Sequence, residues 1–336
     1  MMKRTLSGLL GVFVFGALFF CVGESKAAPF YEGKILRIIV WTAPGGGNDI
    51  MARFVARHLA KHIPGRPAII VENMPGANGI VAANYLYNVE KPDGLTIEAI
   101  GRGLPFPQLL KAKSVKFDLR KFVWIGSTSS EATVLVTRTD LPYKNFDDLR
   151  KAKKPLFVGD TGPGDSSTQF TILVNKFTGL DLRQVTYSGS ADVMLALERK
   201  EVDGRGGTFS SLKPYIERGL VRPLLRGSAS VPEVEHLPVA GDLTTDKTGK
   251  TIMAMHSIVD QIGRPYVAPP GTPVKIVKIL REAFAKMVKD PEVLAAAKKY
   301  NVALKYMPAE ECLKTLETLF NQPEDMLKEF NKYVKF

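Results

Sequence analysis

ILRIIVWTAPGGGNDIMARFVARHLAKHI, residues 35–63, is the stretch whose reading decides the fold. Residues 35–41 are apolar apart from Arg37 and rich in β-branched side chains, the composition of a strand covered on both faces. Pro44-Gly45-Gly46-Gly47 interrupts that run, and from Asp49 the period changes. Met51, Val55, Leu59 and Ile63 recur every four residues, while Arg53, Arg57 and Lys61 line another face, so a helix is predicted. Asn48 is placed to cap it, Asp49 suits its positive end, and Pro64-Gly65 stops it. A strand over residues 68–71, a helix over 79–87 and a strand over 96–100 follow. Such βαβαβ alternation predicts an α/β unit around a mostly parallel sheet.

The same grammar restarts downstream. Strands are predicted over residues 133–137, 156–159 and 184–187, with helices over 146–151 and 193–199. Between them Asp160-Thr161-Gly162-Pro163-Gly164-Asp165-Ser166-Ser167 forms a second glycine-bearing loop that opens a helix reaching residue 177. Two such units predict two α/β lobes facing each other. The last part is helical: Thr272 is placed as a cap with Pro273 at the first helical position, a helix covers 274–289, and another covers 308–319. The expected organisation is a signal segment (residues 1–27), a first part of lobe 1 (28–128), lobe 2 (129–250), and a return to lobe 1 with C-terminal helices (251–336).

Composition narrows the class. The chain has 336 residues with 46 Lys+Arg, 34 Asp+Glu and a net charge of +12, which suits two domains. An ordinary charged fraction of 24%, with 29 Gly and 22 Pro in no repeat, excludes disorder, collagen and coiled coil. Lys3 and Arg4, the apolar run over residues 6–22, and Ser25-Lys26-Ala27-Ala28 have the parts of a secretory signal, a retained membrane anchor being the alternative. Cleavage after Ala27 would remove Cys21 and leave Cys312 as the single thiol, so no internal disulfide is expected. Basic residues are spread along the chain without interleaved aromatics, which argues against nucleic acid as a partner.

Among candidate sites the Pro44–Asn48 loop is the strongest. Glycines let backbone approach a ligand, and the N–H groups of a helix start favour an anion, although a plain turn would need only one glycine. It is neither a Walker loop, lacking Lys-Ser/Thr, nor G-x-G-x-x-G. The second loop adds hydroxyls at Thr161, Ser166, Ser167 and Thr168 to another helix start. Enzyme signatures are weak. His58 and His62 are four apart without a third ligand, so no metal and no cofactor are expected. There is no G-x-S-x-G elbow, and Cys312 lies on an amphipathic helix where packing is the expected role.

These residues resemble the solute-binding receptors of tripartite tricarboxylate transporters. The resemblance rests on Leu36-Arg37-Ile38-Ile39-Val40 with Ala43-Pro44-Gly45-Gly46-Gly47-Asn48-Asp49 and Ala52-Arg53, then on residues 70–79 (IVENMPGANG) and 91–97 (KPDGLTI). Tyr187-Ser188-Gly189, Glu201-Val202-Asp203-Gly204 and residues 268–273 (APPGTP) agree. The resemblance implies a two-lobed periplasmic binding protein of type II, a clamshell of α/β lobes holding a small organic carboxylate. It further implies a monomer that delivers its ligand to membrane permease subunits. Carried over, Pro44, Gly45, Gly46, Gly47, Asn48 and Asp49 would form the first-lobe clamp. Gly164, Asp165, Ser166, Ser167 and Thr168 would form the second, with Tyr187 near the cleft. Arg102 occupies a place that faces the cleft in relatives, and its guanidinium could pair bidentately with a second carboxylate. Relatives often carry Thr at Asn48, Ser-His at Ser167-Thr168 and Lys-Gly at Ser188-Gly189. Residues 201–211 (EVDGRGGTFSS) replace an apolar strand with glycines and Arg205, and residues 238–263 lack the usual proline-rich pattern. The rival readings are a binding protein serving a sensor kinase, and a periplasmic hydrolase or isomerase using Asp49, Asp165 or Tyr187.

Overall fold

The computed structural model describes residues 28–300 and 302–334; the signal segment expected over residues 1–27 lies outside them. The predicted opening strand is β1 (Ile35–Val40), and Leu36, Ile38, Ile39 and Val40 are all buried. It runs parallel to β2 (Ala68–Asn73) on one side and β3 (Thr96–Ala99) on the other, with Ile38 opposite Val71 and Ile97. Strands covered on both faces read as unbroken apolar runs, which is why this one was legible. After β4 (Val123–Ser127) the chain crosses to a second sheet built from β5 (Thr133–Arg138), β6 (Leu156–Asp160), β7 (Leu182–Thr186), β8 (Gly204–Thr208) and β9 (Val221–Arg226). It then returns through β10 (Pro265–Ala268) and β11 (Met307–Pro308). The two sheets have orders β11-β4-β10-β3-β1-β2 and β7-β6-β8-β5-β9.

Both sheets are mixed rather than mostly parallel. β10 is antiparallel to β3 and β4, and β5 is antiparallel to β8 and β9. The cause is connectivity. The chain leaves lobe 1 directly after β4 and re-enters directly before β10, at the same end of the sheet, so the two strands must run in opposite directions. β8 (GRGGT) is a central strand despite its glycines. A Cβ on Gly204 would overlap the Val136 carbonyl, and one on Gly206 would lie 2.7 Å from the Ser167 carbonyl oxygen, because helix Ser166–Thr178 rests directly on this strand.

Helix Gly47–Leu59 buries Met51, Phe54, Val55 and Leu59 in a core shared with Tyr266, Leu280, Phe284 and Met287. Two predicted caps differ. Gly46 stands at the start of this helix, and Asn48 lies inside its first turn, free to bond elsewhere. Helix Val274–Met287 begins after Pro273, and Thr272 donates its hydroxyl to the Pro269 carbonyl at 2.8 Å instead of capping. Helix Ala309–Phe320 packs Cys312 and Leu316 among Phe122 and Trp124 of lobe 1. Burial pushes the Cys312 thiol up to about 12, leaving it a small apolar filler. The last helix, Glu324–Tyr333, reaches the core of lobe 2, which Phe106 also enters from the lobe 1 segment: Phe330 stacks on Phe106 at 4.8 Å, and Tyr333 meets Phe177 edge-on at 5.1 Å.

Candidate ligand-binding cleft

A cavity of about 290 Å³ lies between the lobes. Four helices begin on its wall: Gly47–Leu59 at Gly46 to Asn48, Ser166–Thr178 at Gly164 to Ser167, Ser190–Glu198 at Ser188 to Ser190, and Phe209–Glu217 at Thr208. Free N–H groups and the positive ends of the helix dipoles therefore converge on one space.

The first-lobe loop is held in shape by Asp49. Gly45, with φ of 84°, makes the turn glycine is suited to, and its N–H donates to Asp49 Oδ2 at 2.9 Å. Arg53 Nε donates to the same carboxylate at 3.0 Å and Asn73 Nδ2 at 2.9 Å, while Asn73 Nδ2 also reaches the Thr42 carbonyl at 2.8 Å. Burial alone would raise the Asp49 pKa; the bonds from Arg53, Gly45 and Asn73 outweigh it and hold the group below its ordinary value. Gly46, Gly47 and Asn48 line the cavity, whereas Pro44, Gly45 and Asp49 do not, and buried Asp49 shapes the loop through its bond from Gly45 N–H. In the second lobe Asp165 caps its helix, accepting from Ser167 N–H at 3.2 Å and from Thr161 Oγ1 at 3.0 Å. Gly164, Asp165, Ser166, Ser167 and Tyr187 line the cavity. Thr168 is buried one position past the wall.

Among the described residues, three guanidiniums reach the cleft. Arg102 is there as expected, but it is occupied. Its Nε donates to Ser166 Oγ at 3.0 Å, and its Nη2 lies 3.1 Å from Asp260 Oδ1 and from Thr133 Oγ1. It is a brace between lobes, and its charge is met by Asp260 rather than left for a second carboxylate. Burial lifts Asp260 above the ordinary carboxylate value despite Arg102 and Thr133, which act the other way. Arg264 was not found from sequence. Its Nε pairs with Glu131 Oε1 at 2.7 Å, Nη1 donates to Asn48 Oδ1 at 3.0 Å, and Nη2 donates to Ser211 Oγ at 2.9 Å. For Glu131 the effect of burial is overcome by the Arg264 and Arg102 charges and by the Ser210 hydroxyl, and its pKa stays low. Arg205, noted in sequence only as a departure, sits in β8 on the cavity wall.

Other residues bring the lobes together. The Asn78 amide, oriented so that both its groups are satisfied, donates to the Thr161 carbonyl at 2.9 Å and accepts from Gly164 N–H at 3.2 Å. In the sequence Asn78 is one residue of the IVENMPGANG stretch; its φ of 51° marks the strained turn that aims it across the cleft. Among the described residues no group of three or more His, Cys, Asp or Glu is arranged to hold a metal ion. His62 instead lies 3.2 Å from Asp290, and His58 packs on Phe54 at 4.5 Å.

Two α/β lobes joined by adjacent crossings around a polar cleft define a two-lobed solute-binding protein. The chain belongs to the tripartite tricarboxylate transporter receptor family (TctC), which residues 51–331 match. It is 30% identical over 268 residues to a UPF0065 protein of Bordetella pertussis, covering 77% of this chain and 78% of that one. Its fold matches periplasmic binding protein BugD with a TM-score of 0.72 at 21% identity, over 90% of this chain and 98% of that one. It matches MatC (Rpa3494) of Rhodopseudomonas palustris with bound malate (TM-score 0.69, 23% identity, 90% and 99% covered). It matches R. palustris Rpa4515 with adipate similarly (TM-score 0.70, 23% identity, 89% and 98% covered). The chain is thus a receptor and not an enzyme, and the two-lobed α/β fold expected from its sequence is the one it has.

Proposed function

We propose that the protein captures a small organic carboxylate in the interlobe cleft, in the periplasm and as a monomer, and delivers it to the membrane permease of a tripartite tricarboxylate transporter. The observation that carries this reading is the convergence of four helix starts on one cavity. Each start offers N–H donors with a dipole behind them, and a carboxylate is the small, common anion that satisfies several donors at once. Gly46, Gly47 and Asn48 would hold it from lobe 1, and Gly164, Asp165, Ser166 and Ser167 would close from lobe 2, with Tyr187 at the side. Closure then becomes the signal: an acid touching both lobes favours the closed arrangement, which the permease would recognise. The malate and adipate held by MatC and Rpa4515 support this ligand class.

A thermal-shift screen of residues 28–336 against di- and tricarboxylates, aromatic acids, amino acids and neutral sugars tests the reading. A ligand that binds only the folded state raises the melting point by mass action. A rise with one class of carboxylate is expected. A cooperative melt unmoved by every acid would overturn the assignment.

A further inference from the structure

We propose that Arg205 is the residue that selects the ligand's charge, taking a second carboxylate so that the receptor retains dicarboxylates and discriminates against monocarboxylates of the same length. The inference rests on the carboxylate reading above and assigns the second-anion role to Arg205 in place of Arg102.

The argument is one of unmet charge. All three cleft arginines are buried, and burying a cation is costly unless something compensates it. Arg102 has Asp260 and Arg264 has Glu131. Arg205 is only 5% exposed, and its partners are neutral oxygens: Nε donates to the Gly206 carbonyl at 3.0 Å, Nη1 to the Ser190 carbonyl at 3.1 Å, and Nη2 to Ser190 Oγ at 3.2 Å. Among the described residues no carboxylate lies within ion-pair distance of it; Asp165 and Asp160 act on it from farther away. A guanidinium has five N–H bonds and these contacts use three, so one N–H on each Nη remains for a ligand.

Position agrees with charge. Ser190, which fixes the guanidinium, is the first residue of one of the four converging helices, and a Cβ on Gly46 would lie 3.6 Å from Ser190 Cβ. Arg205 therefore stands against the first-lobe glycine loop, where an acid bound at the helix starts would present its second group.

Titration calorimetry with succinate, glutarate and adipate, each beside its half-amide, tests the proposal on wild-type protein, Arg205→Gln and Arg205→Lys. For the best-fitting length the wild type should prefer the diacid by roughly 30-fold, the scale of a charge-assisted pair over a neutral one. Arg205→Gln should lose about that factor for the diacid and change less than about threefold for the half-amide. Arg205→Lys, which keeps the charge without the fork, should fall between and serves if Arg205→Gln does not fold. Equal wild-type affinity for diacid and half-amide, or equal losses of both in the variants, would overturn the role of Arg205 alone. Wild-type protein that binds none of these acids would overturn the carboxylate reading beneath it.

Discussion

Arg264 Nε donates to Glu131 Oε1 at 2.7 Å, and both side chains are buried where the chain crosses between the lobes. Glu131 lies in the outgoing crossing and Arg264 in the returning one, so the pair joins the two connections of the clamshell. From the same guanidinium, bonds reach Asn48 in lobe 1 and Ser211 in lobe 2. One buried ion pair thus fixes the hinge and touches both walls of the cleft.

Glu131→Gln would leave Arg264 buried without its counter-ion. Removing one partner of a buried pair costs about 3–5 kcal/mol, so the melting point should fall by several degrees in calorimetry. The double variant Glu131→Leu/Arg264→Met should recover part of that stability, since an apolar pair leaves no uncompensated charge. A single variant as stable as wild type would show that the pair does not hold the hinge.

Gly47→Ala should interfere with closure rather than folding. A Cβ there would overlap Ser211 Oγ and lie 2.9 Å from Ser211 Cβ, both in lobe 2, and 3.0 Å from Arg264 Nη2 at the hinge. Within its own helix alanine is the better residue. The expected outcome is a melting point within a degree or two of wild type, with loss of ligand binding and a larger radius in solution scattering. Wild-type affinity would mean that the lobes need not approach this closely.

Much of lobe 1 was legible because its signals are local. β1 announced itself by an apolar run, and the helix after it by a four-residue recurrence that the core of Met51, Val55 and Leu59 explains. β8 was hidden because Gly204 and Gly206 answer to close approach by a neighbouring strand and helix, which no periodicity reports. The site divides likewise. Glycine loops and helix starts can be read along the chain, so Gly46, Gly47, Asn48, Ser166 and Ser167 were expected at the cleft, and they line its cavity. Whether an arginine in the cleft is spoken for depends on a partner more than a hundred residues away: Asp260 meets Arg102, Glu131 meets Arg264, and among the described residues no carboxylate pairs with Arg205.

His256 gives the protein a defined sensitivity to acid. It is stacked 5.3 Å from Phe106, with Phe330 on the same aromatic stack, and burial with the nearby Arg102 charge lowers its pKa to about 3. Between about pH 6.5 and about pH 3 the unfolded chain binds a proton there that the native chain refuses, so stability falls as pH falls, by up to about 1.4 kcal/mol per unit. His256→Phe keeps the stack and should flatten the decline in melting point between about pH 6.5 and about pH 4.5, above the ordinary carboxylate values. It should not abolish the decline, because His58 and His62 are also held low. An unchanged slope would remove His256 from the explanation.

The most direct test is a crystal structure of the protein grown with the acid that stabilises it most. The expected result places one carboxylate between the Gly46–Asn48 and Gly164–Ser167 helix starts, within hydrogen-bond reach of their N–H groups directly or through one water. An acid bound anywhere outside this cleft, or a cleft that stays empty at saturating acid, would contradict the account.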